Sequence, residues 1–347
     1  MKKTAGWGID ARLAHLAAAP SRAARPSRQH VDALFDPVLP LLSDEQRSLA
    51  LFAFSSVLRG LVDDLAASAV RPDLDLEPVI AALEADRTLR KPEVASAVIH
   101  RAEEHRLGRR LRAGAYGTEQ VDAADGSLLD GLIASEDDTL STPAIAYQDI
   151  MRSRLNREGA PQLHAEELPP PLANILCWTA AAALARSDEP ARLPLWSLTA
   201  KRLNARRDVS DSAQHRAMRL AARLQERGEI DALLLRRLIA AGDPLMLTAV
   251  VAAKASISLG TAWSLLFRVQ IDATLALLTA MKLPQTQIAA IARQLFAATA
   301  REAVQEDVAE AAIAIEDLLS NRGSEDLLSY WRIDPAMRTA MDVSASE

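Results

Sequence analysis

One cysteine, Cys177, stands in a chain of 347 residues. It excludes an internal disulfide, and its setting in the apolar run LANILCWTAAAALA reads as an inert core thiol rather than a nucleophile. Aromatic residues are equally scarce, at 4%, too few for a surface that works by stacking on bases. No uninterrupted apolar run approaches the roughly eighteen residues of a membrane span. The opening MKKTAGWGIDARLAHLAAAPSRAARPSR lacks the apolar stretch of a signal peptide. The expectation is a cytoplasmic protein that does not enter a membrane. A net charge of −6 argues against general affinity for nucleic acid. Glycine-rich nucleotide loops, the G-x-S-x-G elbow and paired Cys-x-x-Cys motifs are missing, so nothing in the chain announces a cofactor, a metal or a reaction.

What is present is helix-forming sequence. Apolar residues make up 49% of the chain, as in a soluble globular protein. Segments such as SLALFAFSSVLRGLVDDLAA, DALLLRRLIAAG and TQIAAIARQLFAATA repeat them every three or four positions in a background of Ala, Leu and Arg. Alternating strand patterns do not occur. Start signals agree: Ser43 followed by Gln46 reads as a capping box, and Pro92, Pro143 and Pro244 sit where a first-turn proline sits.

Residues 86 to 101, DRTLRKPEVASAVIHR, and 137 to 152, DDTLSTPAIAYQDIMR, share seven of sixteen positions at an offset of 51, among them Asp86/Asp137, Thr88/Thr139 and Pro92/Pro143. A further step of 51 brings Asp188 and Pro194 to the same two marks. The shared pattern reads as a turn, then proline at the first helical position, with Val94/Ile145 and Ile99/Ile150 on the buried face. Second helices fall near residues 127 to 135, 171 to 186 and 212 to 227. Helix pairs at a fixed long period stack because neither pair buries its apolar side alone. The expected fold is therefore all-α, an α-solenoid-like stack of HEAT-like helix pairs over residues 31 to 228. A flexible segment 1 to 30 precedes it, and a compact helical subdomain 229 to 334 and a flexible tail 335 to 347 follow.

Beyond residue 229 short, strongly apolar helices alternate with brief turns. Gly242, Asp243 and Pro244 form one turn, Ser258 and Asp272 read as N-caps, and Pro284 opens another helix. The series LLLRRLIAAGDPLMLTAVVAAKASISLGTAWSLLF, with LFDPVLPLLSDEQRSLALFAFSSVLRGLVDDLA and ALEADRTLRKPEVASAVI, resembles an uncharacterised family of HEAT-like helical proteins common in alphaproteobacteria, over about residues 33 to 300. The resemblance implies a helical-repeat architecture and a bacterial cytoplasm, and it implies no reaction.

The stretch AVIHRAEEHRLGRR places two histidines and two glutamates within six positions, the cast of a zinc hydrolase helix. A step of four residues turns about 40° and aims both imidazoles at one ion, whereas the step of five from His100 to His105 turns about 140° and separates them. They read as surface histidines. The acid pairs Asp63-Asp64, Glu103-Glu104 and Asp137-Asp138 diverge by about 100° on a helix and read as solvated faces. Lys254, within AVVAAKAS, has the apolar surroundings that can activate an amine. At a helix C-terminus it reads more simply as a lysine that snorkels to water and complements the dipole.

Charge is the clearest functional lead. Residues 100 to 112 carry five arginines against two glutamates and residues 201 to 219 six basic against two acidic side chains, whereas 301 to 326 carry eight acidic against two basic. Arg106, Arg109 and Arg110 follow three- and four-residue steps, and Arg202 and Arg206 are four apart, so each set shares a stripe on its helix. These five are the candidate binding residues. The expected function is a non-enzymatic interaction scaffold or regulator that recognises a protein partner with an acidic surface. The alternative is a grip on a nucleic-acid backbone, and an enzyme of unrecognised type comes third.

Overall fold

The computed structural model describes residues 11–23, 31, 34, 35, 42–71, 73–115, 128–299, 307–319 and 323–344. Among them there is no strand, only an isolated antiparallel bridge between Leu155 and Pro161. In chain order the helices are α1 (Ala11–Ala23), α2 (Asp44–Ser68), α3 (Glu77–Ala85), α4 (Pro92–Ala115), α5 (Leu128–Ile133), α6 (Asp138–Ser153), α7 (Pro170–Ser187), α8 (Leu193–Arg206) and α9 (Ala213–Glu226). They continue with α10 (Ala232–Ala241), α11 (Pro244–Ala255), α12 (Leu259–Phe267), α13 (Ile271–Ala280), α14 (Gln285–Ala298), α15 (Asp307–Leu319), α16 (Gly323–Arg332) and α17 (Pro335–Ser344). The chain is all-α, and its helices stack on one another along apolar faces.

Two compact units divide the chain, one of Pro26–Arg106 with Ile145–Arg216, the other of Met1–Arg25, Leu107–Ala144 and Ala217–Glu347. The division differs from the boundary at 228 expected from sequence. A backbone contact ties residues 107–115 to the C-terminal helices. Gly108 and Gly242 lie so close that a Cβ on Gly108 would stand 2.7 Å from the Gly242 carbonyl oxygen. Only glycine permits that approach.

In the 26–106/145–216 unit, α2 buries Ala53, Phe54, Val57, Leu58, Leu61 and Leu65 at helical spacing and packs on α3, α7 and α8. Its start is the capping box read from sequence: Gln46 N donates to Ser43 Oγ at 3.2 Å, and Ser43 N to Gln46 Oε1 at 3.0 Å. Cys177 is fully buried on α7, and burial pushes its thiol above the ordinary cysteine range.

In the other unit α11 is buried on nearly every side from Pro244 to Ala252, as a helix apolar all round must be. Gly242 ends α10 in the left-handed conformation, and Asp243 caps α11 by accepting from Met246 N at 2.9 Å. Within the segments 1 to 30 and 335 to 347, expected to be flexible, Ala11–Ala23 and Pro335–Ser344 are helical. Helix α1 packs on α12, α13 and α16, where Trp331 Nε1 donates to the Ala17 carbonyl at 3.2 Å. On α17, buried Arg338 donates to Thr261 Oγ1 at 2.6 Å. Their apolar faces supply the burial that holds them. Residues 1–10 and 345–347 lie outside the described residues.

The 51-residue correspondence holds at the turn and fails beyond it. Asp86 and Asp137 accept from the backbone N–H of Thr88 and Thr139 at 2.8 and 2.9 Å, and Leu89 and Leu140 are both buried. After Asp86 a 3-10 turn intervenes, and α4 opens at Pro92. After Asp137 nothing intervenes, so α6 starts at Asp138 and Pro143 lies inside it instead of opening it. The unbroken helix turns a different face inward, leaving Ile145 at 45% exposure where Val94 is buried. At α13 the N-cap is Gln270; Asp272 falls in the first turn instead, where its charge complements the helix N-terminus.

Candidate functional site

The arginines of α4 are not equivalent. Arg101 is buried and donates to the carbonyls of Gln162 and Arg154 at 2.9 and 2.7 Å. Arg110 is half-buried and donates to the Ala298 carbonyl at 3.4 Å, and Arg112 donates to that of Ala241 at 3.3 Å. Those carbonyls end α14 and α10, where the final turn leaves acceptors unsatisfied and favours cations. Arg106 is half-buried and Arg109 exposed. Arg106, Arg202 and Arg206 belong to one compact unit, Arg109 and Arg110 to the other.

The better-formed surface lies on the hairpin of α7 and α8, which pack against each other within one unit. On α8, Pro194, Leu198, Arg202 and Arg206 are all exposed at four-residue steps, with Leu193 and Lys201 beside them. The stripe is apolar over its first half and basic over its second. On α7, Ile175 and Trp178 are 41% and 44% exposed, three residues apart and therefore on one face. Cys177 Sγ approaches the Ala200 carbonyl at 4.0 Å, which sets Trp178 level with the middle of α8. Of the thirteen exposed large apolar side chains among the described residues, ten belong to this unit, so exposure is concentrated here rather than spread evenly. Trp196, by contrast, is buried and donates Nε1 to Asp188 at 3.1 Å, helping to fix the α7–α8 connection.

One supposedly solvated acid pair behaves otherwise. Glu104 is buried, and both its oxygens accept from Arg154, at 2.5 and 2.8 Å. Arg154 Nη2 also lies 2.8 Å from Glu167 Oε2, off the hydrogen-bond line. Burial opposes the Glu104 charge, yet Arg154 and Arg101 outweigh it and hold the carboxyl down at about 2. Arg154 is pushed up by the same two carboxylates against its own burial. The cluster clamps the excursion from Arg154 to Gln162, closed by the Leu155–Pro161 bridge, onto α4. Its charges neutralise one another, so it is a structural element.

His100 and His105 are both half-buried on α4. Among the described residues no group of three or more His, Cys, Asp or Glu side chains is placed to share a metal ion. No single described helix is long and apolar enough to cross a membrane; α11 and α12 are apolar together but bent by 113° at their junction. No family model matches the chain, and neither a curated protein nor a solved structure matches it.

Proposed function

We propose, in line with the HEAT-like resemblance of its sequence, that the chain is a non-enzymatic interaction scaffold. Its α7–α8 surface docks a partner protein through an acidic segment that also carries apolar side chains. The observation that supports this is the composite stripe on α8, apolar at Leu198 and basic at Arg202 and Arg206, together with the exposed Trp178 on α7, the helix that packs against it. Tryptophan and arginine are the residues on which binding energy concentrates at interfaces. A phosphate backbone offers nothing apolar for Leu198 and Trp178 to cover, which favours a protein over nucleic acid.

The test is affinity purification from the native host with the wild-type chain, the Arg202→Glu/Arg206→Glu variant and Trp178→Ala. Removing an anchor residue weakens a partner about 30-fold or more, while both variants keep wild-type helicity because the sites are exposed. Partners recovered in equal amounts by all three proteins overturn the reading. Binding of nonspecific DNA that falls linearly in log salt and is lost in the arginine variant establishes the nucleic-acid alternative instead.

A further inference from the structure

The unit containing residues 217–347 has a cleft of about 540 Å³ between the start of α10, the end of α11 and the α13–α14 connection. Arg236, Lys254 and Lys282 line it against a single carboxylate, Asp231, for a net charge of +2. That carboxylate is engaged at the start of α10, accepting from Leu234 N at 2.8 Å. Among the described residues none of the three cations forms an ion pair. Arg236 Nε is buried and has no hydrogen-bond partner among them, so a ligand oxygen that reached it would be its first acceptor.

Lys282 adds a second, independent sign. It follows α13 with φ of 59°, in the left-handed region where helices ordinarily place glycine. Lysine bears a steric cost there that glycine does not. Val70 and Ser256 hold the same conformation at other helix ends, and of the three only Lys282 lines the cleft. Ile230, Leu233 and Leu283 supply apolar wall, so the space suits a charged group joined to an uncharged body.

We propose that this cleft binds a small soluble organic phosphate carrying at least two negative charges. The guanidinium of Arg236 presents a planar fork to phosphate oxygens, while the two lysines, one at the end of α11 and one in the α13–α14 connection, act as point charges. The cleft is larger than a lone phosphate needs, and its apolar wall takes the organic part. The site lies apart from the α7–α8 stripe in sequence and rests on different residues, so it stands or falls independently of the docking proposal.

Isothermal titration of the full chain with ATP and with pyrophosphate tests the assignment. Saturable sub-millimolar binding of ATP is expected, weakened about tenfold or more by Arg236→Gln and by Lys254→Ala, as the loss of one charge-assisted contact implies. Lys282→Gly separates folding from binding: it relieves the backbone and raises the melting temperature by about 1–3 °C, yet it weakens ATP as the other two variants do. Lys282→Arg retains binding. No saturable heat with either probe at millimolar concentration overturns the proposal, as does Lys282→Gly binding ATP like wild type. Flotation with anionic phospholipid vesicles in the absence of ATP binding overturns it too, because the phosphate then belongs to a lipid headgroup.

Discussion

Replacing Glu104 by glutamine keeps its shape and removes its charge, leaving Arg154 and Arg101 buried with Glu167 as the remaining counter-ion. Two routes give the cost. The carboxyl is held at about 2 against an ordinary 4.5, and at about 1.4 kcal/mol per unit that difference corresponds to about 3 kcal/mol of stability. Breaking a buried ion pair by deleting one partner costs about 3–5 kcal/mol in general. The two agree within their spread. Because the folded-state value is depressed, the contribution is complete above pH 4.5 and is lost as pH falls toward 2. Urea denaturation followed by circular dichroism should therefore show the Glu104→Gln variant about 3 kcal/mol less stable at pH 7, with the gap closing as pH falls. Removing the opposite charge as well, in Glu104→Gln/Arg154→Met, should cost less than the sum of the two single changes. A loss below about 1 kcal/mol at pH 7, or a loss of equal size at low pH, refutes the assignment of this cluster as a neutralised clamp.

Two further changes follow from backbone geometry. Val70 ends α2 with φ of 56° and is 81% exposed. A β-branched residue is strained there and packs on nothing, so Val70→Gly should raise stability by about 1 kcal/mol in the same denaturation assay. Gly108→Val should lower it by about 1–3 kcal/mol or more and speed amide exchange over residues 107–115 and 242, because the new side chain meets the Gly242 backbone.

Features set by a few neighbouring residues were legible in the sequence. The Ser43–Gln46 box, Pro92 and Pro244 at helix starts, the Gly242–Asp243 turn and the Ser258 cap all depend on chemistry within one turn of helix. The all-α class follows from periodicity alone. Pro143 misled because a proline in the second turn and one in the first look alike without knowing where the helix begins, and Asp137 starts this one earlier. Glu104 reads as a surface acid because its partner Arg154 is 50 positions away. Charge counting along α4 treated Arg101, Arg110 and Arg112 alike, although each is held by a carbonyl from a distant segment. The cationic cleft draws on three separate helices, and of its residues only Lys254 stood out, through its apolar surroundings. A lysine just after a helix, where glycine is usual, is the local sign that could have drawn notice to Lys282.

The docking surface is tested most directly by a photo-crosslinking amino acid placed at Leu198, at the boundary between the apolar and basic halves of the α8 stripe, in the native host. A control carries the same group at Glu84, exposed on α3 of the same unit. A discrete adduct is expected from position 198, with a crosslinked peptide rich in Asp and Glu. That adduct should be absent from position 84 and lost when Arg202 and Arg206 are also changed to Glu. Identical adducts from both positions, or a position-198 adduct that survives the arginine reversal, would contradict it.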